Sequence, residues 1–104
     1  MIRGTTPDYI LTIDGYDLTD KTVYVTISQG HKKLTKTGNE LSVSADAEGS
    51  TITFRLSQRD TLGLSVGAAE VQVRFIDSSG MAFATETATI TVSKVLLERV
   101  ISYE

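Results

Sequence analysis

The chain has 104 residues, 40% of them hydrophobic and 22% charged, which places it among single globular domains and outside disordered chains. Ten basic and thirteen acidic residues give a formal charge of −3, so there is no basic surplus with which a nucleic-acid binder would displace phosphate counterions. The absence of cysteine excludes disulfides and thiolate metal ligands; no signal-peptide core and no membrane-length apolar run is present, so a protein made and kept on the cytoplasmic side, without membrane association, is expected.

Taken in chain order, residues 1–8 read as a polar arm containing the only proline, Pro7, which biases Thr6 toward an extended backbone. Too short and polar to pack alone, the arm is expected either to fray or to lie along a neighbour. The body, 9–93, opens with Tyr9–Ile13, where Tyr9, Leu11 and Ile13 share one face. Asp14–Asp20 is a turn. A strand follows over about Lys21–Ser28 with Val23, Val25 and Ile27 inward; Gln29-Gly30-His31 turns the chain into a short strand over Lys33–Thr37. Gly38-Asn39 leads into Glu40–Ala45, and Asp46–Ser50 into Thr51–Leu56, whose Ile52, Phe54 and Leu56 alternate with polar residues.

Ser57-Gln58-Arg59-Asp60 has the form of a helix N-cap with an acidic residue three positions on, so one helical turn is predicted, with Leu62 and Leu64 available to plug the core. Glu70–Ile76 is a strand with Val71, Val73 and Phe75 inward, and Asp77-Ser78-Ser79-Gly80 is a tight turn. The last stretch, Met81–Val92, is twice the usual strand length, which predicts a bulge or kink near Ala84–Glu86. About seven antiparallel strands with one short helical turn describe an all-β sandwich of immunoglobulin or fibronectin type, with an open barrel as the alternative. The core tryptophan, paired cysteines and corner tyrosine of antibody domains are missing.

The inventory for covalent chemistry is short. His31 is the only histidine and sits beside Lys32 and Lys33 in a turn, which suits a solvated hairpin better than a catalytic base. The Asp14–Asp20 cluster has aspartates at i, i+3 and i+6, which is turn chemistry rather than the alternating ligand spacing of a calcium loop. Gly63 and Gly67 stand in no phosphate-binding pattern. No catalytic residue, metal site or cofactor is expected, and the protein reads as a non-enzymatic contact module. The segment 94–104 carries Val95, Leu96, Leu97, Val100 and Ile101 without strict alternation. As a helix it would gather Leu96, Leu97, Val100 and Ile101 on one side, yet so short a helix does not hold alone in water. It is expected to fold back on the body or to dock on another subunit.

Arg3-Gly4-Thr5-Thr6-Pro7, the step Leu56-Ser57-Gln58 into Asp60-Thr61-Leu62, and Glu70-Val71-Gln72-Val73-Arg74 together resemble small proteins encoded among the tail genes of long-tailed phages and prophages of Gram-positive bacteria. The resemblance spans nearly the whole chain, and its motifs are short. It implies a β-sandwich component of the virion tail or of tail assembly, at the baseplate or tail tip, whose partners are other tail or baseplate proteins. Arg3, Gly4, Thr5, Thr6 and Pro7 match position by position, whereas an interaction role for the tail from Val95 is read from its own residues. Self-association is a further expectation, and capture of carbohydrate or host surface by loops such as Asp14–Asp20 and Asp77–Gly80 is the alternative function.

Overall fold

The computed structural model describes residues 1–103 and shows two antiparallel sheets packed face to face. The strands are β1 (Asp8–Asp14), β2 (Thr22–Gln29), β3 (Lys32–Thr37), β4 (Leu41–Ala45), β5 (Gly49–Arg55), β6 (Gly67–Ile76), β7 (Ala82–Ala84) and β8 (Ala88–Val92). A 3-10 turn, Gly38–Glu40, precedes β4, and one short helix, α1 (Gln58–Leu62), joins β5 to β6. The first sheet has the order β1-β5-β4 and the second β3-β2-β6, with β7 and β8 both on the far side of β6.

The count is eight strands rather than seven because the last long stretch divides at Thr85–Thr87, where the sequence calls for a kink. Both pieces stay on β6, through Arg74↔Ala84 and Val71↔Ala88. Across the break Thr85 remains tied to β6, its amide donating to the Val73 carbonyl at 2.9 Å and its Oγ1 accepting from the Val73 amide at 3.1 Å.

The alternating faces meet as the period-two pattern requires. Val23, Val25 and Ile27 of β2, Ile52 and Phe54 of β5, Leu56, and Val71, Val73 and Phe75 of β6 are all buried in one core. Leu64 and Thr61 below α1 close one end, and Leu18 closes the other from inside the Asp-rich turn. Ser50 holds that turn down: its buried Oγ accepts from the Leu18 amide at 2.9 Å and donates to the Tyr16 carbonyl at 2.7 Å. At Gly49 the backbone of β1 comes so close that an added Cβ would lie 2.2 Å from the Ile13 carbonyl oxygen, so only glycine admits this register.

Helix α1 is short and depends on its caps. Ser57 and Asp60 form a reciprocal capping box, with Ser57 Oγ accepting from the Asp60 amide at 3.0 Å and Asp60 Oδ2 accepting from the Ser57 amide at 2.8 Å. Two lysines of β3 hold it from the side: Lys36 Nζ lies 2.9 Å from Asp60 Oδ2, and Lys32 Nζ donates to the Gly63 carbonyl at 2.6 Å. The cluster of basic residues near His31 is therefore a clamp on the helix rather than only a solvated edge.

Candidate interaction surfaces

Two regions carry the interaction residues that the sequence singles out, and a third emerges only from the fold. The first is the arm, which lies along the body of its own chain. Ile2 forms a parallel bridge with Ser93, the Met1 ammonium donates to the Thr91 carbonyl, the Arg3 amide to the Ser93 carbonyl, and the Ser93 amide to the Met1 carbonyl. Arg3 Nε and Nη2 donate to the carbonyls of Leu64 at 2.7 Å and Leu62 at 2.9 Å, at and just past the C-terminal end of α1, where unpaired carbonyls attract a cation. The third Arg3 nitrogen, Nη1, pairs with Glu98 of the tail.

Gly4, at φ +78, turns the arm over α1, and its amide donates to the buried Thr61 Oγ1 at 2.9 Å, which in turn donates to the Thr5 carbonyl. The Pro7 carbonyl accepts from the Leu56 amide and leads into β1. Thr5 and Thr6 stay exposed. Of the five arm residues Arg3–Pro7, Arg3, Gly4, Thr5 and Pro7 thus bond within the chain, Thr5 through its carbonyl and through its hydroxyl to the Ile2 carbonyl, while the side chains of Thr5 and Thr6 lie at the surface.

The second region is the tail. Residues 94–103 form neither helix nor strand. Val95 is half-buried against Gly4; beyond it Leu96, Leu97, Val100, Ile101 and Tyr103 are exposed, Leu96 at 92% and Tyr103 fully. Besides the Arg3–Glu98 pair, the tail is tied to α1 by Gln58, whose amide group donates to the Ile101 carbonyl at 2.9 Å and accepts from the Ile101 amide at 2.8 Å.

The third region is the side of the sandwich where β1 and β8 face each other. β1 pairs only with β5. The flanking bonds Leu56 N–H to Pro7 C=O and Gly15 N–H to Glu48 C=O continue the β1–β5 register and mark the odd-numbered residues as the hydrogen-bonded pairs. The N–H and C=O groups of Ile10 and Thr12 therefore point to the free edge. Beside that edge lies an apolar cleft of about 210 Å³, lined by Leu11 and Ile13 of β1, Val71 and Val73 of β6, and Ala88. It continues past Leu11 to Tyr9 and Ile90. Among the described residues nothing covers this slot, so Ala88 is exposed and Ile90 half-exposed.

The turns at one end of the sandwich use their carboxylates internally. Asp17 Oδ1 accepts from the amide and hydroxyl of Thr19, and these bonds hold its pKa below the ordinary aspartate range. Asp77 does the same with Ser79 and the Met81 amide and is likewise lowered, with Lys21 adding a favourable charge. Tyr16 stands in this end, 43% exposed, edge-on to Phe75 with ring centroids 5.2 Å apart.

Among the described residues no group of three or more histidine, aspartate or glutamate side chains is placed to hold a metal ion, and no helix is long and apolar enough to cross a membrane. No protein-family model matches the chain, and no curated protein matches it.

Proposed function

We propose that the chain is a non-enzymatic structural or adaptor module of a phage or prophage tail, working through protein–protein contacts at the baseplate or tail tip. The observation that carries this reading is the row of apolar tail residues, Leu96, Leu97, Val100, Ile101 and Tyr103, left in solvent next to a well-packed body. Exposed apolar patches of this kind mark contact sites. The free edge of β1 supports it, since strand addition gives affinity through main-chain hydrogen bonds without special side chains. The resemblance carried by Arg3–Pro7 and the other short motifs supplies the tail context, with assembly in the bacterial cytoplasm and then incorporation in the virion.

The test is capture of the products of neighbouring tail genes by the tagged chain. Capture that is lost in Leu97→Asp/Ile101→Asp supports the reading; a chain that captures none of them, and a variant with unchanged partners, overturn the module and the tail surface respectively. The alternative is a sandwich that binds carbohydrate or host surface through the Asp14–Asp20 and Asp77–Gly80 loops. It is favoured by the half-open ring of Tyr16 within the first of these loops, and predicts glycan binding that Tyr16→Ala removes.

A further inference from the structure

The slot beside β1 is apolar and open, and the tail that lies in solvent is apolar too. Among the described residues β1 ends its sheet with β5 as its one strand neighbour, so its outer edge can take one more strand. In this chain the arm fills only the end of that side, bridging Ile2 to Ser93, and leaves the N–H and C=O groups of Ile10 and Thr12 unpaired above the cleft. Seven residues of β1 span about 23 Å, and the eight tail residues beyond Val95 reach about 26 Å when extended. In an extended tail Leu97, Arg99, Ile101 and Tyr103 fall on one face. That set carries a single charge, and the slot has a single charged lining residue of opposite sign, Glu86.

Surface area indicates what fills the slot. The chain exposes 6926 Å². A compact monomer of its mass exposes about 5,700 Å², so the excess is about 1,200 Å². Each partner in a standard stable complex buries about 800 Å². A second copy of this chain supplies both a matching tail and a matching slot, and a reciprocal exchange closes as a two-fold pair. In its own chain the tail is held instead over α1 by two surface contacts, the Arg3–Glu98 pair and the Gln58–Ile101 bonds, which are weak enough to exchange.

We propose that the slot accepts the extended tail, residues 96–103, of a second copy, which adds a strand to the free edge of β1. This deepens the contact-module reading and rests on it. Light-scattering mass over a concentration series tests it on the full chain. Expected are a two-chain mass for the unaltered protein and a one-chain mass both for Leu97→Asp/Ile101→Asp and for Thr12→Pro, which removes an outward-facing amide while leaving the β1–β5 ladder intact. Thr12→Lys serves the same end if the proline variant does not fold.

Mixing the tail variant with the edge variant is expected to restore the two-chain mass, because one chain keeps a working slot and the other a working tail. A one-chain mass for the unaltered protein at every concentration overturns the proposal, as does a two-chain mass that survives both variants or a mixture that does not recover. A one-chain species in which the Ile10 and Thr12 amides are protected from hydrogen exchange also overturns it, since the tail then fills its own slot. A one-chain protein that still captures neighbouring tail proteins sinks this proposal and leaves the contact-module reading standing.

Discussion

The two ends of the chain run side by side and invert what their compositions suggest. The arm, residues 1–8, is half polar and too short to pack alone, yet it is bonded into the body at nearly every residue; the tail is mostly apolar, yet it lies open. Position is decided by where backbone groups find partners. α1 ends in carbonyls that need donors, Arg3 brings two, and Thr61 offers a buried hydroxyl to Gly4 and Thr5. The tail meets no such demand beyond Glu98 and Ile101, and its leucines stay outside the packed core. Hydropathy alone therefore misplaces both segments.

That contrast can be broken at several points. Arg3→Ala should have the largest effect, since it strips the charged donors from the Leu62 and Leu64 carbonyls; a loss of about 3 kcal/mol is expected in urea unfolding, with the m-value unchanged. Thr61→Val keeps the volume but leaves the Gly4 amide and Thr5 carbonyl without their partner, for about 2 kcal/mol. If either costs no more than a surface substitution, the arm is not anchored as described.

Asp60→Asn weakens the cap of the helix on which the arm rests, and about 1 kcal/mol is expected. The acid limb of a pH series sharpens the same point. Burial opposes ionisation of Asp60, but hydrogen bonds from Lys36 and Ser57 outweigh it and hold its pKa below the ordinary aspartate range. Its contribution is then full above the unfolded aspartate value of about 4 and lost as pH falls through the lower folded value. Lys36, raised chiefly by its bond to Asp60, contributes below the ordinary lysine value for as long as Asp60 is ionised, and loses that contribution as pH rises through its raised folded value. Asp60→Asn should flatten part of the acid limb, measured by thermal melts from neutral to strongly acidic buffer; an unchanged slope would falsify the role given to this pair.

The smallest effect on stability belongs to the tail. Leu97→Asp/Ile101→Asp should move the unfolding free energy of the single chain by less than about 0.5 kcal/mol, because both residues lie at the surface, 51% and 53% exposed. A much larger loss would mean that the tail packs on the body after all.

Much of the sandwich is legible in the sequence because one-sided burial writes a period of two. Ile52, Phe54 and Leu56, and Val71, Val73 and Phe75, could be assigned to the core before any coordinate, as could the capped turn at Ser57 and the kink after Ala84. Leu18 was not legible: a lone leucine among Asp, Gly and Tyr looks like turn, and only Ser50 across the sheet pins it inward. Thr61 escaped for a related reason, since its burial depends on an arm more than fifty residues away. The clamp of Lys32 and Lys36 on α1 also needs the pairing of β3 with β2 to bring the lysines there.

The surfaces were only half visible. The apolar tail declares itself by composition, whereas the free edge of β1 does not. Nothing in the Tyr9–Ile13 pattern says which side of a strand will lack a neighbour. That is a property of strand order, and order follows from how distant segments pack.

The parallel bridge of Met1–Arg3 with Thr91–Ser93 has a mechanical consequence. If the two ends of this domain are pulled apart, force runs along both strands in opposite senses, so the three backbone bonds between them and the Arg3 contacts are strained together rather than opened one after another. Loaded in shear, such a seam resists extension far better than a hairpin peeled from its tip, and it would keep the sandwich folded where a chain carries tension from one end to the other.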